Sequence, residues 1–213
     1  MIPETFTQMR QALLSALLVS ALFAAAPALA QSDAPQAAPQ AEQPSHNDPN
    51  LRGRDRILNE LFERLAKADD QDEAKGVAGA IERVFLRSGS DTADLLMNRA
   101  LSSVRQRDFK LANELLDKLV VIEPEWAEAW NQRATARFRA DDVQGAVADL
   151  GQVLALEPRH FGALSALGYI LYSNGFDRRA LDVMRRTLVI YPQQEDIRKL
   201  VEQLGQKIDG RDL

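Results

Sequence analysis

The chain has 213 residues, of which 46% are hydrophobic and 6% aromatic, a length that fits one ordinary domain with a tail. Its net charge of −5 and its lack of any run of basic residues argue against a nucleic-acid partner, because proteins that bind nucleic acids usually carry a basic patch. Cysteine is absent, which excludes disulfides, thiolate catalysis and cysteine-ligated zinc.

Residues 1–30 are typical of a secretory signal peptide. Arg10 precedes an apolar run over residues 12–26, and the small-x-small sequence that ends at Ala30 matches a cleavage site. We predict cleavage after Ala30 and a mature periplasmic chain without a membrane span. The alternative is a protein anchored in the inner membrane by an uncleaved signal, although this run is shorter than the roughly 18 residues that a spanning helix needs.

Residues 31–50 differ sharply in composition from the rest of the chain. They hold four of the nine prolines and almost no large apolar side chain. Such a segment cannot bury enough apolar surface to offset the entropy of ordering it, so we predict a disordered linker. A partner-binding role for the prolines is the alternative, although no PxxP pair stands in a basic setting.

Residues 51–90 predict two helices. Apolar residues recur there at steps of three and four, as a one-sided helix requires. They are Ile57, Leu58, Leu61 and Leu65 in the first helix and Val77, Ala80, Ile81, Val84 and Phe85 in the second. We interpret the pair as a divergent first hairpin of a stacked array, because terminal units of such arrays are often atypical.

Three sets of residues recur at an interval of 34, which is typical of a repeat architecture. The sets are Pro124, Pro158 and Pro192; Ala112, Ala146 and Ala180; and Ala100, Ala134 and Gly168. The interval divides residues 93–126, 127–160 and 161–194 into three copies, each predicted to hold two helices. Asp108 and Asp142 are placed to cap second helices, and each proline ends its copy because it lacks a backbone donor.

These residues resemble the tetratricopeptide repeat, whose pattern runs W-x2-L-G-x2-Y, then A-x3-F, then P. The matches are Leu96, Ala100, Ala112, Leu116 and Pro124 in the first copy, Trp130, Ala134, Ala146, Leu150 and Pro158 in the second, and Leu164, Leu167, Gly168, Leu171, Ala180, Met184 and Pro192 in the third. The departures are Arg99 and Arg133 in place of Leu, and Ser103 and Arg137 in place of Tyr. The resemblance implies an all-α, right-handed α-solenoid of about nine helices over residues 51–208.

After the third copy, residues 195–208 predict one amphipathic helix, and residues 209–213 form a short tail. The apolar stripe of this helix consists of Ile197, Leu200, Val201, Leu204 and Ile208. The opposite face is charged, as expected of a helix that caps the open end of an array. A partner-binding amphipathic helix is the alternative.

One departure from the repeat pattern suggests an ion pair. The register places Arg133 and Asp149 on facing helices of the second copy, so we predict that they pair. Such a pair would explain a charged residue where the family prefers leucine.

Residue types that carry catalysis or bind metals do not assemble in this sequence. There is no glycine-rich phosphate loop, no nucleophile elbow and no pair of metal ligands at helical spacing. The two histidines, His46 and His160, fall in predicted loops. We therefore predict no enzymatic activity, no catalytic residue, no metal and no cofactor.

The resemblance implies that a protein or peptide partner binds the concave face formed by the first helices of the copies. That face would contain Met97, Leu101, Arg105, Asn131, Thr135, Phe138, Arg139, Ser165, Tyr169 and Tyr172. Three of these are aromatic and are candidate anchors, because aromatic side chains dominate binding energy at interfaces. The alternative is that Phe138 and Tyr172 pack against the adjacent hairpin. No lysine falls on this face, so a lysine-based clamp for a terminal carboxylate is not expected.

These observations predict a bacterial periplasmic adaptor that binds a protein segment in cell-envelope assembly, division or secretion. The alternatives are a holdase-like chaperone and an accessory subunit of an envelope enzyme complex. The absence of cysteine and of N-x-[ST] acceptor sites fits a bacterial periplasm.

Overall fold

The structure, a computed structural model, describes residues 49–210, with side chains from residue 53 onward. The signal peptide, its cleavage after Ala30, nearly all of the linker and the last three residues of the tail lie outside the described residues. The described part is all-α, with nine helices and no strand, as predicted. The helices are α1 Pro49–Lys67, α2 Gln71–Phe85, α3 Asp91–Arg105, α4 Phe109–Ile122, α5 Ala127–Arg139, α6 Val143–Leu156, α7 Phe161–Ser173, α8 Asp177–Ile190 and α9 Glu195–Asp209.

The three copies form three helical hairpins, α3–α4, α5–α6 and α7–α8, which stack in chain order. The second helix of each hairpin ends two residues before its proline, because proline cannot continue the backbone hydrogen bonds. Asp108 and Asp142 cap α4 and α6, since their carboxylates accept hydrogen bonds from the backbone of Leu111 (3.0 Å) and Gly145 (2.8 Å). The helix α9 packs against α8 and covers the end of the third hairpin.

Small residues occupy the places where neighbouring helices approach most closely. Ala112, Ala146 and Ala180 are fully buried. Gly168 leaves no room for a side chain, since a Cβ added there would lie 2.7 Å from the Cγ of Met184. The 34-residue interval therefore places small residues at buried positions between helices.

We expect Ala146→Leu to destabilise the protein by about 1–3 kcal/mol, because extra methyl groups in a closely packed core force neighbouring side chains out of their rotamers. Ala146 is fully buried in the core shared by α5, α6 and α7. The matched control is Ala148→Leu on the same helix, where the alanine is exposed. Thermal unfolding of both variants measures the effect, and equal midpoints would contradict this packing.

The position of the first hairpin, α1–α2, differs from the one predicted from the sequence. The expectation was a divergent first unit of the stack, yet α2 makes little helix-to-helix contact with α3 in the part of the chain that the structure describes. Instead α1 packs against α8, and the hairpin lies across the turns that precede α5, α7 and α9. We call α1–α2 the edge hairpin.

The contacts of the edge hairpin involve the two junctions between repeats and the junction between the third repeat and α9. At the first, the indole Nε1 of Trp126 donates to the backbone oxygen of Phe85 (2.7 Å). At the second, the guanidinium of Arg159 donates to Asn59 (2.8 Å). At the third, the amide of Gln193 donates to the backbone oxygen of Ala68 (3.0 Å). A shared apolar core lies beneath these bonds, formed by Leu58, Phe62, Leu65, Ala68, Ala74, Val77, Ala78, Ile81, Phe85, Phe161 and Tyr191.

Candidate functional site

A mostly apolar cavity of about 440 Å³ opens between α5 and α7. First helices of neighbouring hairpins lie side by side, so their exposed side chains face the same space. The cavity is lined by Ala134, Thr135, Phe138, Arg139, Leu150, Ala166, Tyr169 and Ile170. We call this cavity and its rim the α5–α7 groove.

Four of the ten sequence-predicted residues line the α5–α7 groove: Thr135, Phe138, Arg139 and Tyr169. Phe138 is 48% exposed and Tyr169 is 38% exposed. Large apolar side chains with this much free surface have remaining area to bury against a partner. Both aromatic residues thus line the cavity and keep free surface.

Two predicted residues are buried, and their assignment to a partner-binding face is corrected. Met97 is 1% exposed and packs into the core of α3–α4. Ser165 is 7% exposed, and its hydroxyl donates to the side-chain oxygen of Gln194 (3.3 Å). Both have the expected register, but neighbouring residues cover them.

The other four predicted residues lie outside the cavity lining. Leu101 packs against the α3–α4 core, and Arg105 is exposed at the end of α3. Asn131 donates to Glu128 (3.2 Å). Tyr172 faces α9, with Lys207 Nζ 5.9 Å from its ring centre.

The polar groups of the α5–α7 groove are few. The phenol of Tyr169 donates to Asp196 (3.0 Å), and burial together with this bond raises the pKa of Tyr169, so the phenol stays neutral. Arg139 is exposed and forms no ion pair with another residue between positions 53 and 210. The groove therefore offers an apolar cavity beside one cation. Such a site suits a bulky apolar side chain next to an acidic or carbonyl group.

The predicted ion pair of Arg133 and Asp149 is confirmed. The guanidinium of Arg133 contacts both oxygens of Asp149, with Nε at 2.9 Å and Nη2 at 2.7 Å. Arg137 adds a second cation at 3.0 Å from Asp149, and Asp117 accepts from Arg133 at 2.9 Å. Burial acts to lower the pKa of Arg133, but the bonds and charges of Asp149 and Asp117 together outweigh this and raise the pKa. This network joins α4, α5 and α6.

A second buried polar cluster lies under the edge hairpin and was missed in the sequence. The ring Nδ1 of His160 accepts from the backbone of Ala163 (3.1 Å), which caps α7. That bond leaves the proton on Nε2, which donates to the carboxylate of Glu128 (3.0 Å). The ring of Phe85 stacks on His160 at 4.6 Å. His160 was assigned to a loop, and no spacing in the sequence relates it to Glu128 or Phe85.

The described residues contain no group of three or more histidine, cysteine, aspartate or glutamate side chains that could hold a metal ion. Among the described helices, none is long and apolar enough to cross a membrane.

Known proteins resemble this chain in sequence and in fold. A TPR repeat-containing protein of Rhizobium etli is 36% identical over 153 residues, which are 72% of this chain and 75% of that protein. The structure of MamA has a TM-score of 0.52 at 21% identity, covering 76% of this chain and 86% of its own. The first TPR of Spaghetti (RPAP3), solved with the HSP90 peptide SRMEEVD, has a TM-score of 0.52 at 20% identity, covering 55% of this chain and 93% of its own. The two structural likenesses establish the fold alone. No protein-family model matches the chain.

Proposed function

Since the chain belongs to the tetratricopeptide repeat (TPR) proteins, we propose that it is a periplasmic adaptor whose α5–α7 groove binds a segment of a protein partner. The TPR fold supports the general role of a protein–protein interaction scaffold. The periplasmic location rests on the signal peptide predicted over residues 1–30. The setting that we propose is cell-envelope assembly, division or secretion.

The observation that carries this proposal is the pair of half-exposed aromatic side chains beside an apolar cavity. Phe138 and Tyr169 line a space of about 440 Å³, large enough to take a bulky side chain. Aromatic residues next to a pocket are the usual centres of binding energy at protein interfaces. A likeness to the Spaghetti TPR, which was solved with a bound peptide, agrees with a segment as the partner.

We expect the groove to bind rather than to catalyse. The polar side chains that line it are Thr135, Arg139 and Tyr169. No lining residue is a histidine, a carboxylate or a lysine that could activate the Thr135 hydroxyl as a nucleophile. We therefore propose no enzymatic activity and no cofactor for this site.

We expect the double variant Phe138→Ala/Tyr169→Ala to bind its partner at least about 30-fold more weakly, because truncating one interface hot spot costs about 2 kcal/mol or more. The tagged full chain captures partners from envelope extracts, and the dissociation constant is then measured with the purified partner. The matched control is Leu95→Ala/Val121→Ala, which shortens two apolar side chains that are 70% and 78% exposed and do not line the groove.

The outcomes separate the candidate functions. One or two stoichiometric partners, lost from the groove variant and retained by the control, support the adaptor. Retention of the partner by the groove variant would remove the α5–α7 groove from the proposal. Recovery of many unfolded proteins would instead favour a holdase-like chaperone.

A further inference from the structure

The outward face of α8 is strongly basic. Arg178, Arg179, Arg185 and Arg186 are all exposed. With 3.6 residues per turn they lie within an arc of about 120°, together with the exposed residues Asp182 and Val189. Four arginines and one aspartate give this arc a net charge of +3, on a chain whose net charge is −5. The opposite side of α8 is buried in the core, through Ala180, Leu181, Met184 and Thr187.

The repeats provide an internal comparison for this face, because the same positions recur 34 and 68 residues earlier. On α4 they are Lys110, Leu111, Glu114, Asp117, Lys118 and Val121, whose charges cancel. On α6 they are Gln144, Gly145, Ala148, Gly151, Gln152 and Ala155, which carry no charge. The repeat fold therefore does not require basic residues at these positions. The charge is particular to α8.

Three of the four arginines of this face are not used in ion pairs that hold the described fold together. Arg179, Arg185 and Arg186 form no ion pair with another residue of the described range 53–210. Arg179 contacts one neighbouring ring, that of Phe176, at 5.8 Å. Their guanidinium groups are thus available to an anion.

We propose that the outward face of α8 docks on a bilayer that contains anionic phospholipids. Guanidinium groups bind phosphate oxygens through paired hydrogen bonds, which suits the headgroups of such lipids. The four arginines form two rows, one of Arg178 and Arg185 and one of Arg179 and Arg186. The two arginines of each row are seven residues apart, which is about 10.5 Å along the helix. A cluster of four or more basic residues on one helix is typical of binding to anionic lipids.

Two further observations favour a bilayer over an acidic polypeptide. The arginines line neither the α5–α7 groove nor the open acidic pocket beside α1, so neither of these two concave surfaces would hold a peptide chain against this face. Val189 and Phe176, near the two ends of the face, are 77% and 52% exposed, and apolar side chains beside the arginines can enter the boundary between headgroups and acyl chains.

The test measures sedimentation of the full chain with vesicles of equal parts phosphatidylglycerol and phosphatidylcholine. Vesicles of phosphatidylcholine alone measure any binding that does not depend on the anionic headgroup, including that of the predicted signal segment. We expect Arg185→Gln/Arg186→Gln to bind the anionic vesicles about 25-fold more weakly, since each basic residue near such a surface contributes about five-fold. High salt should weaken wild-type binding, because it screens exposed charges.

The matched control is Lys110→Gln/Lys118→Gln, which removes the same charge from the equivalent face of α4 and should change binding less than two-fold. Unchanged thermal midpoints establish that both variants fold. The proposal would be overturned if both variants lost the same affinity for the anionic vesicles, or if the α8 variant bound them as tightly as the wild type does. So would binding of the wild type to polyglutamate but not to the anionic vesicles, a result that assigns the face to an acidic protein.

Discussion

We expect Asp149→Asn to lower the free energy of unfolding by about 3–5 kcal/mol, because it removes one partner from a buried ion network. The carboxylate of Asp149 is 2% exposed, and Arg133 and Arg137 both contact it. Asparagine keeps the shape of the side chain but loses its charge. Two guanidinium groups would then face a neutral amide in a site with little access to water.

Chemical denaturation of the purified variant measures this effect. Asp117→Asn is the matched control, since Asp117 contacts the same arginines through a side chain that is 54% exposed. Exposed ion pairs contribute little, so we expect the control to lose less than about 1 kcal/mol. Equal losses at the two positions would show that burial does not set the strength of the network.

The second large effect is expected from Phe85→Ala, which should destabilise the protein by about 3–5 kcal/mol. Phe85 is 2% exposed and packs between Phe62, at 6.2 Å between ring centres, and His160, at 4.6 Å. Its removal leaves a cavity at the place where the edge hairpin meets the repeats. The backbone oxygen of the same residue holds Trp126, so the indole should become exposed when the hairpin loosens.

Denaturation and tryptophan fluorescence together test this prediction. The chain contains two tryptophans, and Trp126 is 4% exposed, so its exposure to water should shift the emission to longer wavelength. Phe176→Ala is the control, because Phe176 is 52% exposed and should cost less than about 1 kcal/mol. A stability loss in Phe85→Ala without any shift of emission would place the damage somewhere other than at the edge hairpin.

The helices and their register follow from local chemistry, and the sequence therefore predicts them well. Asp108 and Asp142 cap α4 and α6 through backbone atoms three residues away, and each proline ends a helix without help from distant residues. The ion pair of Arg133 and Asp149 was also predictable. Once the 34-residue interval fixes the register, these two positions must lie on facing helices.

The position of the edge hairpin could not be predicted in this way. An apolar stripe on α1 or α2 indicates that a neighbour covers it, but does not identify the neighbour. The contacts that place the hairpin join residues far apart in the chain: Phe85 and Trp126 are separated by 41 positions, and Ala68 and Gln193 by 125. The buried cluster of His160 and Glu128 was missed for the same reason.

The candidate groove was predicted in part, because residues at one register position do not share the same surroundings. Phe138 reaches the cavity, whereas Tyr172, 34 residues later, faces Lys207 of α9. Tyr169 lines the cavity, whereas Leu101, 68 residues earlier, packs against the α3–α4 core. The repeat pattern determines the direction in which a side chain points. The side chains of neighbouring elements determine whether it stays accessible.

The edge hairpin also has a consequence for the order in which the protein assembles. Arrays of repeats are usually held together by contacts between adjacent units. The edge hairpin is synthesised before the repeats, yet Ala68 cannot meet Gln193 until the third repeat has been completed. Contacts of such long range form slowly. The first described helices to leave the ribosome therefore complete their contacts only after the third repeat has been made.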